Sequence, residues 1–347
     1  MRVAYVLGRP ELGGGPKVVF LHAGLLRQRG DEVTVLGEGP EPDWIDLDRL
    51  GVRYVDTTAG PPWLPSQDLV IATWWTTLPA ARSLGLGPLA HFCQGYEGDL
   101  AHLRPALAEI EAVYAWKVPA LTVSPHLVGF LHERFGREAR VAPPSLDPLF
   151  RPAWRLGPRS SRPWIAVPGI FEAEVKDVPT ALRAVRRLRE VGIAARVLRF
   201  SILPLSAAER SLLPPERYLQ SVPPRVVARA LRRCDLLFLP SRPGEGFGLP
   251  LLEAFASGVP AVASRIPSTV AISEMAEGAA ALMPAGDARA FAEAARALLA
   301  VPQVWRRARE LGFRAAREFR PEAVAPHLYT AVDWARERAL QAEEPAS

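Results

Sequence analysis

The chain is predicted to fold as an α/β protein of two domains, each a parallel sheet covered by helices. Three observations predict this. Short continuous apolar runs recur along the chain, among them Val3–Leu7, Asp68–Ala72 and Asp235–Leu239, as strands buried on both faces require. Each run leads into a loop rich in Gly, Pro, Ser or Thr and then into a segment of helical apolar spacing, which is the alternation of a βαβ repeat. The length, 347 residues, suits about two domains with cores of their own.

The first half opens with the strand Val3–Leu7 and a loop, Gly8–Gly15, that ends in three consecutive glycines. Pro16 fits the first helical position. Val18, Leu21, Leu25 and Leu26 make one apolar face of the helix, Gly30 closes it, and Glu32–Leu36 is the next strand. Read alone, Gly13, Gly14 and Gly15 suit either close approach to a ligand or a plain mobile turn. Asp68–Ala72 ends in Thr73–Thr77, which carries Trp74 and Trp75. Leu89–Cys93 ends in Gln94-Gly95-Tyr96-Glu97-Gly98, and Ala120–Val123 leads into a capped helix start at Ser124-Pro125. Ligands of open α/β sheets bind beyond the carboxyl ends of strands. The Trp pair could therefore stack on sugar rings and Glu97 could accept hydroxyls. Equally, the two tryptophans could plug the edge of the domain.

Arg140–Pro152 is proline-rich and without periodicity, so it reads as the linker, with a domain boundary near residue 155. The second half repeats the pattern: strand Trp164–Val167, loop Gly169–Lys176, helix Thr180–Val191 stopped by Gly192, and strand Ala195–Phe200. A short helix, Arg225–Arg233, precedes the strand Asp235–Leu239, and Pro260–Ser264 is a further strand. Late helices cover about residues 287–301 and 303–317, and a last segment begins near residue 321. The expected organisation is residues 1–155, residues 156–320, and a last segment, residues 321–347.

The richest stretch is 240–258, Pro-Ser-Arg-Pro-Gly-Glu-Gly-Phe-Gly-Leu-Pro-Leu-Leu-Glu-Ala-Phe-Ala-Ser-Gly. It joins an apolar strand to a helix whose start is marked by Pro250 and whose stop is marked by Gly258. A helix N-terminus reached through a glycine-rich loop is a natural anion site, because backbone N–H groups converge there and the helix dipole adds positive potential. Gly246, Phe247, Gly248 and Leu249 would supply those N–H groups. Glu245 in the loop and Glu253 near the start of the helix place acceptors on either side, a set suited to a ligand with both hydroxyls and phosphates. On spacing alone, a capping glutamate and a flexible glycine turn fit as well.

The stretch Ser241–Gly258 resembles, nearly residue for residue, the donor-binding signature of the retaining GT-B glycosyltransferases of family 4, or group 1. That family includes sucrose-phosphate synthases and bacterial mannosyl- and rhamnosyltransferases. The resemblance implies a GT-B fold of two Rossmann-like domains facing a central cleft, with the last segment, residues 321–347, crossing back to the first domain as in known two-domain relatives. It gives Glu245 to the transferred sugar, Glu253 to the ribose hydroxyls, and the Gly13–Gly15 and Gly246–Leu249 backbone to the donor. Asp147, Phe150 and Pro152 match the family's interdomain passage, with Pro144-Ser145 in place of its usual Asn-Gly. Lys176 occupies the slot of a lysine that neutralises the diphosphate. Asp177 replaces the glycine that usually follows it, and the arginine expected a few residues earlier is absent; Arg199 is one possible substitute. An exposed lysine flanking a helix is the alternative reading of Lys176. A Gln-x-(Tyr/Phe)-Glu loop, found in rhamnosyltransferase-like relatives, points to Gln94 and Glu97 on the acceptor side with Trp74 and Trp75. The histidine found in many relatives is not matched by His91, His102 or His126.

Composition narrows the remaining classes. Lys and Arg number 42 against 37 Asp and Glu, a net charge of +5, and lysine occurs only at 17, 117 and 176. No nucleic-acid motif accompanies this mild basic excess, so a basic surface without a nucleic-acid partner is expected. No run approaches the roughly 18 apolar residues of a membrane span, and Val3–Leu7 is too short for a signal peptide. A cytoplasmic location is expected, with peripheral contact at the inner face of a membrane left open. Cys93 and Cys234 read as buried free thiols, and the six histidines form no metal-ligand spacing. The resemblance implies a metal-independent enzyme of the hexosyl type, without a cofactor, that moves a sugar from a nucleotide-diphosphate sugar to a hydroxyl acceptor. A sugar-nucleotide epimerase and a non-catalytic nucleotide-sugar binder are the alternatives. A dehydrogenase is disfavoured, because the opening loop lacks Gly-x-Gly-x-x-Gly and Glu38 is a weak ribose partner.

Overall fold

The structure, a computed structural model, describes residues 1–60, 63–155, 157, 158 and 162–343. Residue 156, where the second domain was expected to begin, and the end of the last segment at 344–347 lie outside the described residues. The chain divides into two compact units, Met1–Ser145 with Pro321–Ser347, and Leu146–Arg320.

The first unit holds a seven-stranded sheet. Its strands are β1 (Arg2–Val6), β2 (Glu32–Gly37), β3 (Arg53–Asp56), β4 (Leu69–Ala72), β5 (Leu89–Cys93), β6 (Ala120–Thr122) and β7 (Ala139–Val141). All neighbours pair in parallel, in the order β3-β2-β1-β4-β5-β6-β7. Val6, Leu36, Val70 and Ala72 pack with Leu78 and Ala81 on one side of the sheet. Each fully buried valine or leucine contributes about 1.5–3 kcal/mol.

The helix Pro321–Glu343 belongs to this unit because its contacts lie there. Val324, Leu328, Val332 and Ala335 are buried. The Tyr329 hydroxyl donates to the Leu25 carbonyl at 2.9 Å, and Arg29 pairs with Asp333 at 2.8 Å.

The second unit holds a six-stranded parallel sheet in the order β10-β9-β8-β11-β12-β13. The strands are β8 (Trp164–Pro168), β9 (Arg196–Ser201), β10 (Arg217–Gln220), β11 (Leu236–Leu239), β12 (Ala261–Ser264) and β13 (Ala280–Met283). The helix Val178–Glu190 buries Val178, Leu182, Val185 and Leu188 against Ile165, Val197 and Phe238 of the sheet, with Phe291 and Trp305 closing the core. The unit begins at Leu146, earlier than the boundary near 155 read from the sequence, because the chain is already anchored there. Leu146 N–H donates to the Phe319 carbonyl at 2.7 Å, Arg309 donates to the carbonyls of Ala153 and Arg155, and Arg155 pairs with Asp235.

Both strand orders reverse direction once, between β1 and β4 in the first sheet and between β8 and β11 in the second. The chain leaves the two strands of each pair toward opposite edges, so the loops beyond their carboxyl ends border a crevice. Those four loops contain most of the residues singled out from the sequence.

Candidate functional site

In the second unit, the reversal brings Lys176 to Glu245. Lys176 ends a turn of 3-10 helix, Glu174–Lys176, after β8, and its stem lies along Gly169. Gly169 has φ 110°, and a Cβ there would come within 3.2 Å of the Lys176 Cβ. Lys176 Nζ donates to Glu245 Oε1 at 2.8 Å and to Oε2 at 2.6 Å. The Ser241 hydroxyl, wholly buried, donates to Oε2 at 3.0 Å. Glu245 is therefore held from two sides, and its partner Lys176 keeps a third of its side chain exposed, at 34%. Charge-assisted contacts of this kind fix geometry as well as charge. The two loops are also joined by backbone, Arg242 N–H donating to the Val175 carbonyl at 2.8 Å.

Gly248 ends the glycine-bracketed turn at φ 93°, a left-handed conformation that suits glycine, and it caps the helix Leu249–Ala256. That helix carries no acidic residue in its first turn and no side-chain cap, so its N-terminal dipole is not offset by a protein carboxylate there. It begins at Leu249, which puts Pro250 second rather than first. The Phe247 ring turns inward and meets Phe319 edge-on at 5.5 Å. Only the backbone of Phe247 is left to face a ligand. Glu253 is nearly buried on the same helix.

The substitute envisaged for the missing arginine is not Arg199. Its guanidinium is wholly buried, paired with Glu209 at 2.5 Å and donating to the carbonyls of Val167 and Gly169 at 2.5 and 2.7 Å. Arg199 braces the β8 loop from behind and is committed to that role. The sequence placed it correctly on a strand but carried no signal of which way it points.

In the first unit, the glycine triplet is not a loop. Gly13 is the extended N-cap, and Gly14 and Gly15 are the first two residues of the helix Gly14–Arg29, so Pro16 is third. No left-handed backbone calls for glycine at these positions. Gly15 lies against the Gln94 amide, where an added Cβ would sit in contact 3.4 Å from Nε2. Gly15 and Gln94 are thus brought together at the carboxyl ends of β1 and β5.

The Trp loop is shaped by Thr77, whose hydroxyl accepts the N–H groups of Thr73 and Trp74, both at 2.9 Å. Trp74 is partly exposed at 37%, while Trp75 has its indole Nε1 buried without a hydrogen-bond partner.

Glu97 differs from its expected role as a hydroxyl acceptor. It is 2% exposed and accepts the Tyr114 hydroxyl, the Trp75 backbone N–H and its own N–H. Burial pushes its pKa up to about 7, against the lowering effect of those hydrogen bonds. The carboxylate is a latch that ties the Trp loop to the β5 loop. Tyr96 and Tyr114 form part of an aromatic cluster with Phe130 and Phe135 beneath it. His91 is also inside, its Nδ1 3.2 Å from Arg137, and burial lowers its pKa well below the usual imidazole range. Cys93 and Cys234 are both buried thiols. Among the described residues, no group of three or more His, Cys, Asp or Glu side chains could hold a metal ion, and no helix is long and apolar enough to cross a membrane.

Comparison with known proteins fits this architecture. The Anabaena protein HepE, solved in complex with UDP-glucose, superposes with a TM-score of 0.75 at 13% identity, covering 96% of this chain and 100% of that one. Sucrose-phosphate synthase from Thermosynechococcus elongatus gives 0.74 at 16% identity over 99% of this chain and 100% of that one. The fold is GT-B. Residues 162–301 match the family model for Glycosyl transferases group 1, a span that includes Lys176, Glu245 and Glu253. The phosphatidyl-myo-inositol mannosyltransferase of Mycobacterium leprae (strain TN) is 35% identical over 112 residues, 32% of this chain and 30% of that protein. Residues 162–301 are thus similar to the group 1 glycosyl transferases, the family that the 240–258 stretch resembles, and the fold is that of GT-B proteins.

Proposed function

We propose that this protein is a retaining glycosyltransferase that moves a hexosyl group from a nucleotide-diphosphate sugar to a hydroxyl acceptor. The observation that carries this reading is the contact of Lys176 with both oxygens of Glu245. It joins, at the switch point of the second sheet, the cation and the carboxylate that the sequence motif singles out. The complexes of HepE with UDP and with UDP-glucose support a nucleotide sugar as donor.

In the proposed reaction the bond from the anomeric carbon to the β-phosphate oxygen breaks, and its electron pair stays on the phosphate. The acceptor oxygen bonds to the anomeric carbon on the same face and gives its proton to the departing phosphate oxygen. Lys176 and the N–H groups of Gly246–Leu249 stabilise the charge that develops on the phosphate, where prepositioned donors are most effective. Glu245 holds a hydroxyl of the sugar and orients Lys176, and Glu253 takes the ribose. This use of carboxylates differs from paired-carboxylate glycoside hydrolysis, and no metal or cofactor enters the scheme. On the first unit, Trp74, Trp75 and Gln94 are the acceptor-side residues, with the Gly13–Gly15 backbone near the diphosphate and Glu97 acting through the loop it latches. Action in the cytoplasm, on a glycan, a small molecule or a lipid-linked acceptor at the membrane face, suits this set.

The test is turnover. Nucleoside diphosphate release from a panel of UDP-, GDP-, dTDP- and ADP-sugars is measured with and without pooled hydroxyl acceptors. Acceptor-dependent release from one donor, abolished in Glu245→Ala, is the expected result. Conversion of the sugar nucleotide without release would mark an isomerase and contradict the proposal.

A further inference from the structure

The diphosphate that leaves in such a transfer carries more negative charge than one lysine offsets, and Lys176 already faces Glu245. On the loop between β8 and the helix Val178–Glu190, Lys176 is the only basic residue. On the loop between β11 and the helix Leu249–Ala256, Arg242 is the only one. These are the two loops at the switch point.

Arg242 has the properties of a ligand-facing cation. Its side chain is nearly half exposed, at 46%, and its backbone is fixed by the hydrogen bond to Val175. One terminal nitrogen lies 3.1 Å from Asp177 Oδ2. That carboxylate is itself unusual. Asp177 is 6% exposed and sits at φ 40°, a left-handed conformation that costs a non-glycine residue about 1 kcal/mol or more. It is the N-cap of the helix Val178–Glu190, yet its side chain makes no capping hydrogen bond, although aspartate is among the preferred caps. Its Oδ2 has no aligned hydrogen-bond partner either. Strain is accepted, capping is forgone, and what the carboxylate does face is Arg242. Gly286 lies beside the pair: a Cβ there would be in contact with it, 3.7 Å from an Arg242 guanidinium nitrogen and 4.0 Å from Asp177 Oδ2.

We infer that Arg242 is a second cation for the diphosphate of the donor, held in place by Asp177 as a positioning residue. The inference rests on the donor reading of the Lys176–Glu245 site. A guanidinium presents a planar fork of N–H donors that matches two phosphate oxygens at once. A single ionic contact to Asp177 keeps it near the loop mouth. The two departures from the family pattern then have one cause: the aspartate that follows Lys176 recruits the arginine that the preceding loop lacks.

The test is calorimetric titration of the full chain with UDP, GDP, dTDP and ADP, and with the matching monophosphate of whichever binds. Arg242→Gln is expected to weaken the diphosphate about tenfold or more, the loss of one charge-assisted contact, and the monophosphate much less. Asp177→Asn should give a smaller loss of the same selectivity, and Arg242→Lys, which keeps the charge without the fork, an intermediate one. Should Arg242→Gln fail to fold, the Arg242→Lys and Asp177→Asn series decides by the same ratio. Unchanged diphosphate affinity in these variants, with Lys176→Ala impaired, would overturn the assignment of Arg242 and leave the donor reading standing. Equal loss for diphosphate and monophosphate would overturn it as well. No binding of any nucleotide by the unaltered protein would overturn the donor reading itself, and this inference with it.

Discussion

Glu97 and Glu245 occupy matching places, each in a loop just beyond the carboxyl end of a sheet strand, β5 in one unit and β11 in the other. Their surroundings give them opposite tasks. Glu97 is sealed among Tyr114, backbone N–H groups and an aromatic cluster, with the charge of Arg137 acting on it only weakly beside the effect of burial. Burial therefore pushes its proton affinity up. Glu245 meets a partly exposed ammonium on one side and a buried hydroxyl on the other. The first arrangement fixes two loops to each other, and the second holds a charge pair where a polar ligand could reach it. A carboxylate in a strand-end loop is thus not a binding group by position alone; its partners decide.

Substitutions at the two glutamates should separate these roles sharply. Glu245→Ala is expected to lower transfer by about 10²–10³-fold or more, as loss of a prepositioned electrostatic group does, while the unfolding midpoint stays near that of the unaltered protein. Glu97→Gln keeps an acceptor for Tyr114 and should change transfer by only about threefold or less, since the lost charge is off the reaction path. Comparable losses in nucleoside diphosphate release from both variants would remove the distinction.

Stability should respond in the reverse sense. Tyr114→Phe withdraws the hydroxyl from the buried Glu97 carboxylate, and urea unfolding should show a loss of about 1–3 kcal/mol. If the loss is no more than a few tenths of a kcal/mol, the latch has little energetic weight. Gly248→Ala, in the signature loop, forces a side chain to φ 93° and should cost about 1 kcal/mol. It should also weaken donor binding by shifting the helix N-terminus. Full stability and full activity in Gly248→Ala would show that the turn can relax.

The smallest expected effect is on pH dependence. The pKa of Glu97 is raised in the folded state to about 7. Between its unfolded value near 4.5 and pH 7 the folded state binds more protons, so this group's contribution to stability is full below that window and is lost as pH rises through it. His22, held near 4 by burial, acts oppositely. The unfolded state binds more protons between pH 4 and 6.5, so the contribution of His22 is present above that range and is lost as pH falls. In Glu97→Gln the first slope disappears and the histidine slope remains. The thermal midpoint should then rise more steeply from pH 5 to pH 7 than in the unaltered protein. Superimposable profiles would mean that Glu97 titrates normally.

Legibility in the sequence followed burial. The central strands β1, β2, β4, β5, β6, β8, β9, β11 and β12 stand out as apolar runs because both faces are covered. The strands that did not stand out, β3, β7, β10 and β13, are the edges of the two sheets, although β13 is itself apolar. Their patterns of exposure are mixed, and β7 hides inside the stretch that composition marks as a linker. The motif at 240–258 was legible because it combines glycines, two glutamates and a helix start in a spacing that packing alone does not require, although Leu251, Leu252 and Phe255 within it are buried. What was not legible is orientation. Nothing in the spacing distinguishes Arg199, which braces a loop from inside, from the partly exposed Arg242, or a Glu97 latched to Tyr114 from a Glu245 paired with Lys176. Those differences depend on Glu209, Asp177 and Tyr114, partners that only the fold brings close.

The most direct measurement is a thermal-shift titration of the full chain with UDP, GDP, dTDP and ADP, followed by their sugar conjugates. A ligand that binds only the native state adds about 2.7 kcal/mol of stability at a hundredfold excess over its dissociation constant. The account predicts a clear rise in the midpoint for one base, reduced in Lys176→Ala. A well-folded chain that shows no rise with any of the four would contradict it.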